Sequence, residues 1–351
     1  MSHSVVVLPG DGIGPEIMTP AVQLIRELCD LEVTEFAFGG ASIARYGVPM
    51  TDEVLAACRA SDAVLFGAVG GPQWDYDDQL KEKPGSAFLR LRRELGVYAN
   101  LRPVRIFDAL RGISPVRPEV LDGTDLLIVR ELTGGIYFGA RGRRPDGNSA
   151  FDTSEYAVEE IERVARVAFR AARHHVTSVD KANVLETSLL WREVVERVRA
   201  DEFPEIELRH LYVDNAAMQL VARPSQFDVV LTDNMFGDIL SDEAAILSGS
   251  IGLMPSASLG DDGPGLFEPI HGSAPDIAGR NIANPLAMFL TVAAMFRYGL
   301  DMPEEAVALE EAIDAALDGG LRTVDLGGSH TTTDAGDAVR RALTTKSGLS
   351  R

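Results

Sequence analysis

The chain has 351 residues, 46% of them apolar and 25% charged, the balance of a folded globular protein and not of a disordered or fibrous one. Its 53 acidic residues against 33 basic ones leave a formal charge of −20, which repels nucleic-acid phosphates and anionic lipid headgroups. At roughly 150 residues per domain, the length predicts two domains, each large enough for its own core.

Only Lys81, Lys83, Lys181 and Lys346 are lysine, so a lysine beside other polar residues stands out. The acid excess suits a high-salt interior and, equally, a GC-rich genome with ordinary solubility needs. Cys29 and Cys58 form neither a bridge framework nor a CxxC pair, as expected in a reducing compartment. The N-terminus enters an apolar run without a cationic segment, and the longest apolar helical stretch, 285–298, is too short to span a bilayer. The expected location is the cytoplasm.

Short Val/Ile/Leu runs at 5–8, 63–69, 125–129, 176–179 and 227–231 predict buried strands, and 207–213 reads as another. Helical spacing separates them: residues 154–173 place Val158, Ile161, Ala165 and Ala168 on one face, with acids early and arginines late. The fold class is therefore α/β. No repeat or low-complexity linker divides the chain, so crossings between domains are expected near 100–103 and 249–255.

The first constellation, Gly10-Asp11-Gly12-Ile13-Gly14-Pro15-Glu16, follows a strand and opens a helix with Pro15 near its first position. Its spacing departs from the dinucleotide fingerprint, whose third glycine follows an intervening pair, so a tight strand-to-helix turn is expected instead. Arg92, Arg102 and Arg130 come next. Guanidinium groups grip carboxylates in bidentate fashion, so the three would suit a dicarboxylate, although each also suits an ion-paired or solvated role.

Asp238 and Asp242 lie one helical turn apart, where like charges repel unless a cation sits between them. Asp214, at the end of a strand-like stretch, could complete an all-oxygen Mg²⁺ or Mn²⁺ site; solvated acids are the alternative. Lys181 follows a strand directly and could be a base or a salt-bridge partner. Tyr137 could donate a proton or simply pack. The segment from Glu268 to Pro285, punctuated by proline and glycine, predicts an ordered surface loop. HExxH, GxSxG, Walker and zinc-type patterns are absent from the sequence.

In combination, these stretches resemble the isocitrate/isopropylmalate dehydrogenase family of metal-dependent β-decarboxylating dehydrogenases over essentially the whole chain. The resemblance rests on Leu8-Pro9-Gly10-Asp11-Gly12-Ile13-Gly14-Pro15-Glu16, Ala99-Asn100-Leu101-Arg102-Pro103 and the segment from Val129 to Gly139. Val179-Asp180-Lys181-Ala182-Asn183, Tyr212-Val213-Asp214-Asn215, the segment from Asp233 to Asp242 and the loop after His271 complete it.

The resemblance implies a two-domain fold distinct from the Rossmann fold. A discontinuous cofactor domain, 1–99 plus 251–351, would accompany a substrate, metal and dimerisation domain, 100–250. It implies NAD-dependent oxidative decarboxylation of 3-isopropylmalate or another 3-alkyl- or 3-arylmalate, with a non-catalytic regulatory paralogue as the alternative. Arg92, Arg102 and Arg130 would hold the malate carboxylates, while Asp214, Asp238 and Asp242 would bind Mg²⁺ or Mn²⁺, with Asp214 also at the substrate. Lys181 would be the base and Tyr137 the acid. Asn183 and Glu268, with His271, Gly272, Ser273, Ala274, Pro275, Asp276, Ile277 and Asn284, would hold the cofactor, and the Asp276 carboxylate would favour NAD over NADP. The active form would be a homodimer, with Lys181 and Asp214 contributed across the interface. One stretch departs from the family: Pro84-Gly85-Ser86-Ala87-Phe88-Leu89 stands where Pro-Glu-x-Gly-Leu-Leu is usual. Phe88 and Leu89 are expected to wall the alkyl pocket.

Overall fold

The computed structural model describes residues 3–346. Its strands are β1 (Ser4–Gly10), β2 (Glu32–Glu35), β3 (Ala63–Ala68), β4 (Ala99–Arg105), β5 (Asp125–Glu131), β6 (Arg141–Arg143), β7 (Ala150–Asp152), β8 (His175–Asp180), β9 (Glu207–Tyr212), β10 (Val229–Thr232), β11 (Pro255–Leu259) and β12 (Gly265–Pro269). Contacts divide the chain into two units. One contains the described residues of Met1–Val97, Phe107–Ile113 and Gly249–Arg351; the other contains Tyr98–Ile106 and Ser114–Ser248. The short segment Phe107–Ile113, expected with the second domain, packs with the first unit: Arg322 donates to the Ala109 carbonyl at 2.5 Å.

In the first unit the strand order is β2-β1-β3-β12-β11, parallel except for the β11/β12 pair. Helix Leu286–Tyr298 is buried on nearly every side, which explains an apolar sequence with little amphipathic pattern. The turn after β1 is built by close approach, since a Cβ on Gly10 would lie 1.9 Å from the Ala68 carbonyl oxygen. One on Gly12 would lie 1.9 Å from that of Ser273, and both residues have positive φ. These glycines serve backbone packing.

In the second unit the order is β4-β5-β10-β8-β9, with β4 antiparallel to β5 and the remaining pairs parallel. Helix Val158–Ala171 realises the helical spacing of 154–173, burying Ile161, Val164, Ala165 and Ala168. Parallel strands end at one edge and pass into helices there. That edge collects the polar residues that follow them, the usual position of a ligand site in an α/β sheet.

Candidate active site

Arg130 is the second-to-last residue of β5, and its side chain is only 2% exposed. The β4/β5 register sets Asn100 opposite Arg130 and Arg102 opposite Ile128, while β10 sets Thr232 against Arg130 on the other side. The chain then turns at Asp233, whose carboxylate accepts from the Phe236 N–H at 2.7 Å and caps helix Asn234–Ser248. That helix carries Asp238 and Asp242, one turn apart, over the two arginines. Arg130 Nη1 donates to Asp238 Oδ1. Arg102 Nη1 lies 3.5 Å from Asp238 Oδ1 and 4.0 Å from Asp242 Oδ1, and is anchored to Ser241 Oγ at 2.5 Å. Tyr137 completes the cluster, its hydroxyl donating to Asp238 Oδ2 at 3.1 Å.

Two buried cations thus underlie two half-exposed carboxylates, so the cluster is balanced in charge. Burial raises the Tyr137 phenol above its ordinary range and the Asp238 charge adds to this, with Arg130 opposing; the group holds its proton and can donate it. Burial likewise raises the Asp242 carboxyl; Arg102 opposes this, while Asp238 repels the second negative charge. A hard divalent cation would relieve that repulsion, and an oxygen-only donor set suits Mg²⁺ or Mn²⁺.

Lys181 and Asp214 form a second pair in the same unit. The β8/β9 register places Asp180 beside Tyr212, so the chain leaves both strands side by side, and Lys181 Nζ reaches Asp214 Oδ1 at 2.5 Å. The bond to Lys181 holds the Asp214 carboxyl below its ordinary range. Among the described residues, no three His, Cys, Asp or Glu side chains gather as a metal site. Asp214 therefore does not join Asp238 and Asp242 within one chain. Asn183 is exposed in the turn after Lys181.

In the first unit, Arg92 on helix Pro84–Glu94 donates to Glu268 Oε1 at 2.6 Å, joining an expected substrate residue to an expected cofactor residue. The placement of Phe88 differs from the expected pocket wall. Its ring is buried against Phe66, centroids 4.3 Å apart, with the Arg92 guanidinium 4.3 Å from its own centroid. A large aromatic next to a sheet gains more from the core than from a half-exposed wall, so Phe88 supports Arg92. Leu89 is half-buried, and the position of Gly85 has open space beside it.

The loop after β12 is pinned at separated points. Ser273 accepts from the Ile13 N–H at 2.8 Å, Asn281 donates to Glu16 at 2.8 Å, and Asn284 donates to Asp325 at 2.9 Å. Gly272 just ahead of the first point is exposed, as are Pro275 and Asp276 between the first two, while Ala274 and Ile277 are half-buried. His271 Nε2 is buried without a partner, a polar atom left for a ligand, and burial lowers that imidazole's pKa and keeps it neutral. An ordered backbone with an unmet donor or acceptor and an exposed carboxylate fits a nucleoside with free ribose hydroxyls. Asn234, which the sequence did not mark, is the further polar residue at the Asp238 cluster, bonded to Arg130. Its signal was its place directly after Asp233, as the first residue of the helix that carries Asp238.

The isocitrate/isopropylmalate dehydrogenase family model matches residues 4–339. The chain is 53% identical to a 3-isopropylmalate dehydrogenase of Chromohalobacter salexigens, over 98% of this chain and 99% of that protein. It is 54% identical to one of Clostridium acetobutylicum, over 92% and 93% respectively. Among solved structures, an isocitrate dehydrogenase from Methylococcus capsulatus superposes with a TM-score of 0.87 at 34% identity, covering 97% of this chain and 99% of that one. A β-decarboxylating dehydrogenase from Thermococcus kodakarensis gives 0.80 at 36% identity, with 99% of each chain covered.

Proposed function

This chain belongs to the isocitrate/isopropylmalate dehydrogenase family and is an oxidatively decarboxylating dehydrogenase; on that premise we propose that it converts 3-isopropylmalate and NAD to 4-methyl-2-oxopentanoate, CO₂ and NADH, the dehydrogenase step of leucine biosynthesis. The observation that carries the reading is the Asp238 carboxylate shared by Arg130, Arg102 and Tyr137. On this reading an anion grip, a cation ligand and a proton donor meet around one carboxylate.

Arg92, Arg102 and Arg130 bind the two carboxylates of the malate moiety, each already oriented by a buried partner, so little side-chain order is lost on binding. Asp238 and Asp242, with Asp214 of a second copy, are the residues that would hold Mg²⁺ or Mn²⁺; the loop from His271 to Asn284, with Glu268 and Asn183, would hold NAD. When bound, NAD takes up the hydride and the cation supplies positive charge to the oxygen that becomes a carbonyl. Lys181 accepts the proton of the 2-hydroxyl. After CO₂ leaves, Tyr137 protonates carbon 3, which requires the phenol to be protonated at neutral pH, as burial and Asp238 dictate.

A homodimer follows from the same reading. Lys181 and Asp214 form a group of their own, and exposed apolar side chains surround that part of the unit: Val184, Leu185 and Leu189 near Lys181, and Met218 and Val221 on the Asp214 helix. Ile239 and Ile246 on the Asp238 helix are also exposed. Such side chains favour burial against a second copy. NADH formation across a panel of 2-hydroxy diacids with Mn²⁺ tests the proposal. The expected ranking has 3-isopropylmalate first by kcat/KM; a higher value for isocitrate or unsubstituted malate would overturn it.

A further inference from the structure

Asn234 is the first residue of its helix and is 1% exposed. Its Oδ1 accepts from two nitrogens of Arg130, Nε at 3.0 Å and Nη2 at 2.8 Å. Its Nδ2 donates to the Gly134 carbonyl at 3.0 Å, and its backbone N–H donates to the Tyr156 hydroxyl at 2.9 Å. Burial raises the Tyr156 phenol above its ordinary range, and the nearby Glu131 charge adds to this. That buried carboxylate accepts from the Thr133 N–H at 2.9 Å and the Gly134 N–H at 2.8 Å. One amide side chain therefore joins the end of β5 to Gly134, directly ahead of the 3-10 turn Gly135–Tyr137.

The residue type matters. An amide oxygen is a neutral acceptor, so it fixes the plane of a guanidinium while leaving its charge for an anion. A carboxylate of the same shape would compete for that charge. Arg130 has little room of its own, since a Cβ on Gly237 would lie 2.7 Å from its Cγ. Its stem is set by packing, and its head by Asn234 at Nε and Nη2 and by Asp238 at Nη1.

We infer that Asn234 is a positioning residue for this dehydrogenase. It fixes the Arg130 guanidinium and, through Gly134, holds it in register with the turn that carries the Tyr137 phenol. The inference rests on the reading that Arg130 grips a substrate carboxylate. Gly134 cannot move independently of the arginine while the amide bridges them, so substrate anion and proton donor keep a constant separation.

The test compares Asn234→Ala and the isosteric Asn234→Asp with the parental full-length chain, using 3-isopropylmalate, NAD and Mn²⁺. KM for the diacid is expected to rise on the order of tenfold or more in the alanine variant, and further in the aspartate variant. The Kd for NAD measured without diacid should stay at the parental value, a split that general loosening of the fold would not give. In an Arg130→Lys background, Asn234→Ala should add less than about twofold, because the two act as one unit. Parental KM in both variants, or full additivity with Arg130→Lys, overturns the inference. So does failure of both variants to fold, which would assign Asn234 to the fold alone. A parental chain that forms no NADH with any diacid refutes the functional reading instead.

Discussion

Gly237→Ala separates stability from function at the Arg130 site. The added Cβ would stand 2.7 Å from Arg130 Cγ, 2.8 Å from its Cβ and 3.1 Å from Thr232 Cγ2. Ordinary carbon contacts lie at about 3.5–4.0 Å, so the arginine stem must retreat by roughly 1 Å. It is 2% exposed and has no open direction. Overpacking of this kind costs about 1–3 kcal/mol, against up to about 1 kcal/mol gained by replacing glycine with alanine in a helix. The net stability loss should therefore be small, about 0–2 kcal/mol by urea unfolding. Activity should suffer more, because a displacement near 1 Å at a substrate-positioning group lowers turnover on the order of 100-fold. The assay is steady-state NADH formation alongside urea midpoints. A variant more stable than the parent with unchanged kcat/KM would refute the packing argument.

Other expectations follow from neighbouring groups. Tyr137→Phe should lower kcat on the order of 100-fold or more while leaving the unfolding midpoint nearly unchanged, since the lost bond is to a half-exposed carboxylate; near-parental kcat would remove it as the acid. Lys181→Met should abolish turnover while a dimer by light scattering and Mn²⁺ binding both persist, and near-normal rates would exclude it as the base. Burial, with the Glu131 and Asp180 charges adding and Arg130 opposing, pushes the Asp233 carboxyl up to about 6 from the ordinary 3.8. Its protonated form suits the fold, so its stabilisation is complete below about pH 4 and is lost as pH rises through about 6, on the order of 3 kcal/mol. Asp233→Asn should therefore lose less stability than the parent between about pH 4 and about pH 7, and equal losses would refute the assignment. Chelation by EDTA should stop NADH formation and Mn²⁺ restore it, with the circular dichroism spectrum constant; activity that survives chelation would exclude the cation.

The strands legible in the sequence are those whose side chains are apolar on both faces, such as β3, with every residue buried. β4 was hidden because its core is polar: Asn100 and Arg102 are buried and bonded to each other at 2.6 Å, so the sequence there reads as a crossing. β11 was hidden for a similar reason, with Ser256 buried and donating to the Glu268 carbonyl. At the site, individual residues stood out as charged groups at strand ends, but their pairing did not. Arg130 meets Asp238 across 108 positions of sequence, and register alone joins them. Phe88 was expected at a pocket wall from its place in a family motif, and a motif does not say which face of its helix the core claims: its ring packs on Phe66 and under Arg92. Asn234 escaped notice because an asparagine after an aspartate reads as a helix start.

Mixing two inactive chains tests the account at its centre. Lys181→Met and Asp238→Asn chains, co-expressed with different tags, should each be inactive alone. Random pairing makes half the dimers mixed, and each mixed dimer has one of two sites intact, so about a quarter of parental activity should return. Purified mixed dimers that show no activity, with the parental enzyme active under the same conditions, would contradict the division of the site between two copies.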